Sequence, residues 1–140
     1  ELVYKKLSNY EFNDNFEIRG FIENHNELYN NIDLHVFPSH LNAAGRPVFE
    51  AAFYKIPSIV AINNPFDDAI IDGQTGICIK EKDPIALANA IEKLYKDRKL
   101  LEKMGEESYK LAHKYYNSKN NASKIYDLYK LILKDENVQK

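Results

Sequence analysis

Apolar residues form short, nearly continuous runs through the first two-thirds of the chain and take helical spacing in the last third. Residues 34–37 (Leu-His-Val-Phe), 58–62 (Ser-Ile-Val-Ala-Ile) and 77–79 (Ile-Cys-Ile) read as buried strands rich in β-branched side chains. A fourth strand is expected at residues 16–19, opened by the turn cluster Asn13-Asp14-Asn15 and closed by Gly20. Helices are expected between them: the tail of one up to about Tyr10, one through Glu27-Leu28-Tyr29-Asn30 capped by Asn26, the amphipathic stretch from Val48 to Tyr54, and a short one near Pro65 to Ile70. Short apolar strands alternating with helices predict an α/β fold with a parallel sheet covered on both faces.

The last third reads as helix throughout. Asp83 as N-cap with Pro84 at the first helical position marks a start, and Leu87, Ala88, Ile91, Leu94 and Tyr95 are expected to share a face. A second helix is predicted from about Lys99 to His113, interrupted or bent near Gly105. A third begins near Ser118 and spaces Ala122, Ile125, Tyr126, Tyr129 and Ile132 along one stripe. The tyrosines of this region (Tyr109, Tyr115, Tyr116, Tyr126, Tyr129) are read as packing residues, because no basic field surrounds them.

Composition changes this picture little. The 140 residues, 44% hydrophobic and 29% charged, suit a globular domain with a real core. A net charge of −2 gives no broad field to recruit nucleic acid. The lone Cys78 lies in an apolar run and reads as an inert thiol, which fits a reducing, cytoplasmic compartment. No run approaches membrane-spanning length. The four histidines show no metal-ligand spacing; His35 reads as structural, while His25 and His40 sit in loops.

The segment from Pro38 to Ala51 carries the candidate chemistry. A strand leads into a loop holding Gly45 and then into a helix, which aims backbone N–H groups and the positive end of a helix dipole at an anion. Glu50, one turn inside, is placed to accept hydrogen bonds from sugar hydroxyls. Arg46 sits at the helix start, where its charge opposes the dipole, and a diphosphate would resolve that conflict. Phosphate beside ribose, as in a nucleotide or nucleotide-sugar, is the chemistry suggested. Asp67 and Asp68 read as solvated or capping.

Several of these pieces also occur, in order, in a known family. Pro38-Ser39, Glu50-Ala51, Pro57-Ser58-Ile59-Val60, Ile71-Asp72-Gly73-Gln74-Thr75-Gly76, Asp83-Pro84 with Leu87-Ala88 and Ile91, and Met104-Gly105 follow one another at matching spacings. Residues 16–22 match a further strand and turn. The chain resembles the C-terminal, donor-binding domain of family-four retaining glycosyltransferases, which have the GT-B fold. The resemblance implies a Rossmann-like sheet and transfer of a sugar, with retention, from a nucleotide-diphosphate-sugar to a hydroxyl acceptor on a glycan or lipid-linked molecule. It places Gly20, Phe21 and Ile22 near the base, Ala43, Ala44, Gly45 and Arg46 at the phosphates or sugar, and Glu50 at the ribose. Asn42 stands where the family usually has the glutamate that meets the donor sugar, and is the position assigned to catalysis.

The resemblance further implies two units: residues 1–115 as the nucleotide-sugar-binding domain, lacking its first two strands, and 116–140 as a helix crossing to an absent N-terminal domain. The missing strands would separate 16–19 from 34–37 and leave each as an edge; the family's Arg and Lys diphosphate clamp belongs to that missing part. No metal or cofactor is expected where dipoles and cationic side chains neutralise the diphosphate. Peripheral membrane association would run through the missing domain. Two other readings stay open: a degenerate nucleotide- or protein-binding module, which Asn42 keeps alive, and a GT-B nucleotide-sugar epimerase.

Overall fold

The computed structural model describes residues 15–39, 43–63 and 69–136. The expectations for the helix ahead of Tyr10, for His40 and Asn42, and for Asp67 and Asp68 lie outside the described residues. The elements run α1 (His25–Tyr29), β1 (His35–Phe37), α2 (Arg46–Phe53), β2 (Ser58–Ala61), β3 (Gly76–Ile79), α3 (Pro84–Lys96), α4 (Arg98–Tyr115) and α5 (Ser118–Glu136). The three strands form one parallel sheet in the order β1-β2-β3, with His35 opposite Ser58 and Ser58 opposite Gly76. The α/β architecture read from the sequence is the one observed.

Strand β2 is central, and all four of its residues are buried. Its alternation divides the core. Ile59 points into a cluster with Ala90 and Leu94 of α3 and Leu101 and Met104 of α4, while Val60 joins Val48 of α2, Ile62 and Ile70 on the opposite face. A third cluster, Tyr29, Ala51 and Ile56, ties α1 to the end of α2.

Four local expectations are corrected. Residues 16–19 form no strand: a ladder requires a neighbour, and among the described residues no strand lies beside them. The N-cap of α1 is Asn24, not Asn26; the Asn24 Oδ1 accepts from the amides of Asn26 and Glu27, while the Asn26 side chain accepts from the Tyr54 hydroxyl at 2.8 Å. The inward stripe of α3 is the buried Ala90 and Leu94 with the partly buried Leu87, while Ala88, Ile91 and Tyr95 are exposed. Helix α4 runs unbroken through Gly105, where an added Cβ would overlap the carbonyl oxygen of Lys55. The glycine serves close packing, not a bend.

Helix α5 forms at the expected spacing, yet Ile125, Tyr126, Tyr129 and Ile132 are all exposed. Among the described residues Tyr126 and Tyr129 are thus not buried by packing, unlike Tyr115 and Tyr116, which are half-buried. Tyr116 meets Phe49 edge-on at 4.6 Å. Among the described residues no helix is long and apolar enough to cross a membrane.

Candidate functional site

Beside β1 lies a cleft of about 580 Å³, walled by residues 17 and 19–22, by α1 and by the start of α2. Its floor is apolar (Leu28, Ile32 and the Tyr29 ring), and its polar groups come from Glu17, Arg19, His25, His35, Arg46 and Glu50. Such a mix, mostly apolar with a few convergent polar groups, suits a small ligand.

Glu50 is at its centre. The helical repeat of α2 turns Val48, Ala51 and Ala52 into the core and leaves Glu50 half-buried at the cleft edge. Its Oε1 accepts from the Arg46 Nε at 2.7 Å, one turn back on the same helix. Its Oε2 accepts from the Tyr29 hydroxyl at 3.1 Å, and His25 Nδ1 stands 3.9 Å away. Burial first, and then the hydrogen bond to Glu50, push the Tyr29 phenol up to about 12, so it remains a donor at neutral pH.

The start of α2 is barer than a glycine-rich phosphate loop. Gly45 is the N-cap and supplies no side-chain acceptor, Pro47 has no N–H, and the Val48 amide donates to the Gly45 carbonyl at 2.9 Å. In the first turn of the helix itself, an anion would meet the Arg46 amide, the helix dipole and the exposed Arg46 guanidinium. Gly45 has an ordinary φ of −74°; its lack of a side chain makes room for the Phe37 ring, which a Cβ would overlap.

Gly20, Phe21, Ile22, Arg46 and Glu50 therefore share one cleft, with Phe21 91% exposed at its mouth. Ala44 instead packs against the cluster around Val48, Ala43 is exposed, and neither lines the cleft. Asn42 lies outside the described residues. His35 is structural, its Nδ1 3.0 Å from the Ser58 hydroxyl, and burial lowers its pKa. Burial, with the Asp72 carboxylate adding to it, pushes the Cys78 thiol up to about 12, which makes it unreactive. Tyr29 went unnoticed in the sequence as a site residue. A buried phenol must place its hydroxyl on an acceptor, and that requirement was the available signal.

Comparison with known proteins bears on the family and the fold. The family described as "Glycosyl transferases group 1" matches residues 1–111. A capsular polysaccharide biosynthesis glycosyltransferase of Staphylococcus aureus, CapM, is 30% identical over 108 residues, covering 77% of this chain and 28% of its own length. The chain thus spans less than a third of that relative. Among solved structures, sucrose-phosphate synthase from Thermosynechococcus elongatus superposes with a TM-score of 0.83 over 95% of this chain and 34% of that one, at 23% identity. The C-terminal domain of the group 1 glycosyl transferase LpcC from Francisella tularensis gives 0.73 over 84% of this chain and 62% of that one, at 25% identity. HepE from Anabaena, solved with UDP-glucose, gives 0.81 over 92% and 36%, at 17% identity. These structures share the GT-B fold. With a family match over most of its length, this chain belongs to the group 1 glycosyl transferases.

Proposed function

We propose that this chain forms the donor-binding part of a retaining glycosyltransferase. The sugar passes from a nucleotide-diphosphate-sugar to a hydroxyl on a glycan or lipid-linked acceptor in the cytoplasm. The carrying observation is the cleft in which Glu50 faces residues 19–22 across an apolar floor. Glu50 accepts the ribose hydroxyls, and the backbone of Gly20, Phe21 and Ile22 meets the base. Arg46 and the amides from Ala43 to Arg46 face the diphosphate or sugar, and Asn42 takes the place of the usual sugar-binding carboxylate. HepE, with the same fold, was solved holding a nucleotide-sugar, which supports this reading. Residues 1–115 act as the nucleotide-sugar unit, and the exposed apolar face of α5 packs on a separate acceptor-binding domain.

Asn42 favours one second reading, a module that binds a nucleotide without turnover. An amide carries no charge to stabilise positive character at an anomeric carbon. A product assay on the full natural polypeptide, with UDP- and GDP-sugars and NMR of the anomeric proton, separates the two. Turnover with retention is expected. Nucleoside diphosphate binding without product would select the module, and inversion would exclude the proposed mechanism.

A further inference from the structure

The Glu50 carboxylate is held from two sides by unlike partners. Arg46 reaches Oε1 from a side chain that is 83% exposed. Tyr29 reaches Oε2 from a residue that is 3% exposed, with its ring stacked on Tyr54 at 5.0 Å. Tyr54 is in turn fixed by its own hydroxyl, which donates to Asn26. The Tyr29 hydroxyl has one proton and two nearby acceptors, Glu50 Oε2 at 3.1 Å and the Pro47 carbonyl at 3.4 Å. The carboxylate is nearer and charged, so it is the one that accepts the hydrogen bond.

A vicinal diol presents two donors in a fixed relation and is best met by a carboxylate whose plane is already set. Each carboxylate oxygen offers two lone-pair sites, so a hydrogen bond from Tyr29 occupies one and leaves the others open to the cleft. An exposed arginine can exchange its carboxylate for a ligand phosphate without disturbing the core. A buried tyrosine remains in place. We propose that Tyr29 is a positioning residue that orients the Glu50 carboxylate toward the ribose 2′,3′-diol, making the site selective for ribonucleoside over deoxyribonucleoside diphosphates. This rests on the donor-site reading above. The raised phenol pKa keeps the donor protonated throughout the neutral range.

The test is calorimetry on the full natural polypeptide with UDP and GDP and their 2′,3′-dideoxy analogues, in wild type, Tyr29→Phe and Tyr54→Phe. The wild type should prefer whichever ribonucleotide it binds over its dideoxy analogue. Tyr29→Phe should shrink that preference about tenfold or more, the order of one hydrogen bond to a charged group, while Tyr54→Phe keeps it. A merely structural role for Tyr29 would weaken both ligands alike and leave the ratio unchanged; that result overturns the proposal. A wild type indifferent to the diol overturns instead the ribose reading on which it rests. Should Tyr29→Phe fail to fold, 3-fluorotyrosine at position 29 retains ring and hydroxyl. Its fluorine resonance should shift with the ribonucleotide and not with the dideoxy form, and equal shifts would refute the role.

Discussion

Gly105 of α4 lies against the carbonyl of Lys55, so closely that no side chain could begin there. Lys55 is itself in the left-handed region (φ 60°), in the turn that leads from α2 toward β2. The two residues bring α4 against the turn that sets where the central strand β2 starts, and so help fix the strand on which β1, beside the cleft, is paired. Gly105→Ala should therefore destabilise the fold by about 1–3 kcal/mol, as overpacking does, despite alanine's better helix propensity. Urea unfolding measures it, and a more stable variant would show that the contact relaxes freely.

Glu50→Gln removes the charge but preserves shape. Nucleoside diphosphate affinity should drop by ~1.5–3 kcal/mol, the worth of a hydrogen bond to a charged group. Calorimetry on a folded variant checks this, and undiminished affinity would exclude Glu50 as the ribose ligand.

Arg46 offers the opposite separation. Its pair with Glu50 is largely solvated, so Arg46→Met should alter stability by no more than about 0.5 kcal/mol. Diphosphate binding should weaken and lose part of its salt dependence. Titrations at low and high ionic strength would reveal an unchanged slope if the guanidinium never meets phosphate.

His35 links stability to pH. Burial holds its folded-state pKa below the ordinary 6.5. The unfolded chain therefore binds the extra proton first, and stability rises with pH across this window. Stability should be fully present above about pH 7 and fall as the pH drops through 6.5 toward the lower folded value. His35→Asn should flatten this part of the profile in urea melts at pH 5, 6 and 7.5. An identical slope would place the acid sensitivity elsewhere.

Those features of the fold that depend on local composition were legible in the sequence. The runs at 34–37, 58–62 and 77–79 became β1, β2 and β3, and the Asp83-Pro84 signal became the start of α3, with the Asp83 side chain accepting from the Ala86 amide. Features that depend on what lies opposite were not. The apolar pattern at 16–19 could not disclose a missing ladder partner, and the phase of α3 was set by where Ile59 and Met104 present a surface. Gly105 looked like a helix breaker because its neighbour, the Lys55 carbonyl, is fifty residues away in sequence. In the cleft, Glu50 and Arg46 showed themselves by standing in an apolar and a dipole-opposed setting respectively. Tyr29 did not, since its meaning arises only when α1 is laid against α2.

Helix α5 carries the last prediction. Ile125, Tyr129 and Ile132 recur at intervals of four and three, the spacing that lines one helix face, and each is 47–61% exposed. Burying a large apolar side chain gains about 1.5–3 kcal/mol, so a row of three left in water is a strong drive to associate. A charge placed in the row should not harm the core built by the described residues, whose buried clusters draw on α1–α4, the sheet and their connections and not on α5. Ile132→Asp should thus leave the thermal midpoint of the isolated chain within a degree or two, while shifting its light-scattering mass toward the monomer. In the full natural polypeptide the same substitution should lower the midpoint, because there the proposal has this face buried against the acceptor-binding domain. If Ile132→Asp instead unfolds the isolated chain, α5 packs on its own domain. If the longer protein is indifferent to it, the face meets no second domain.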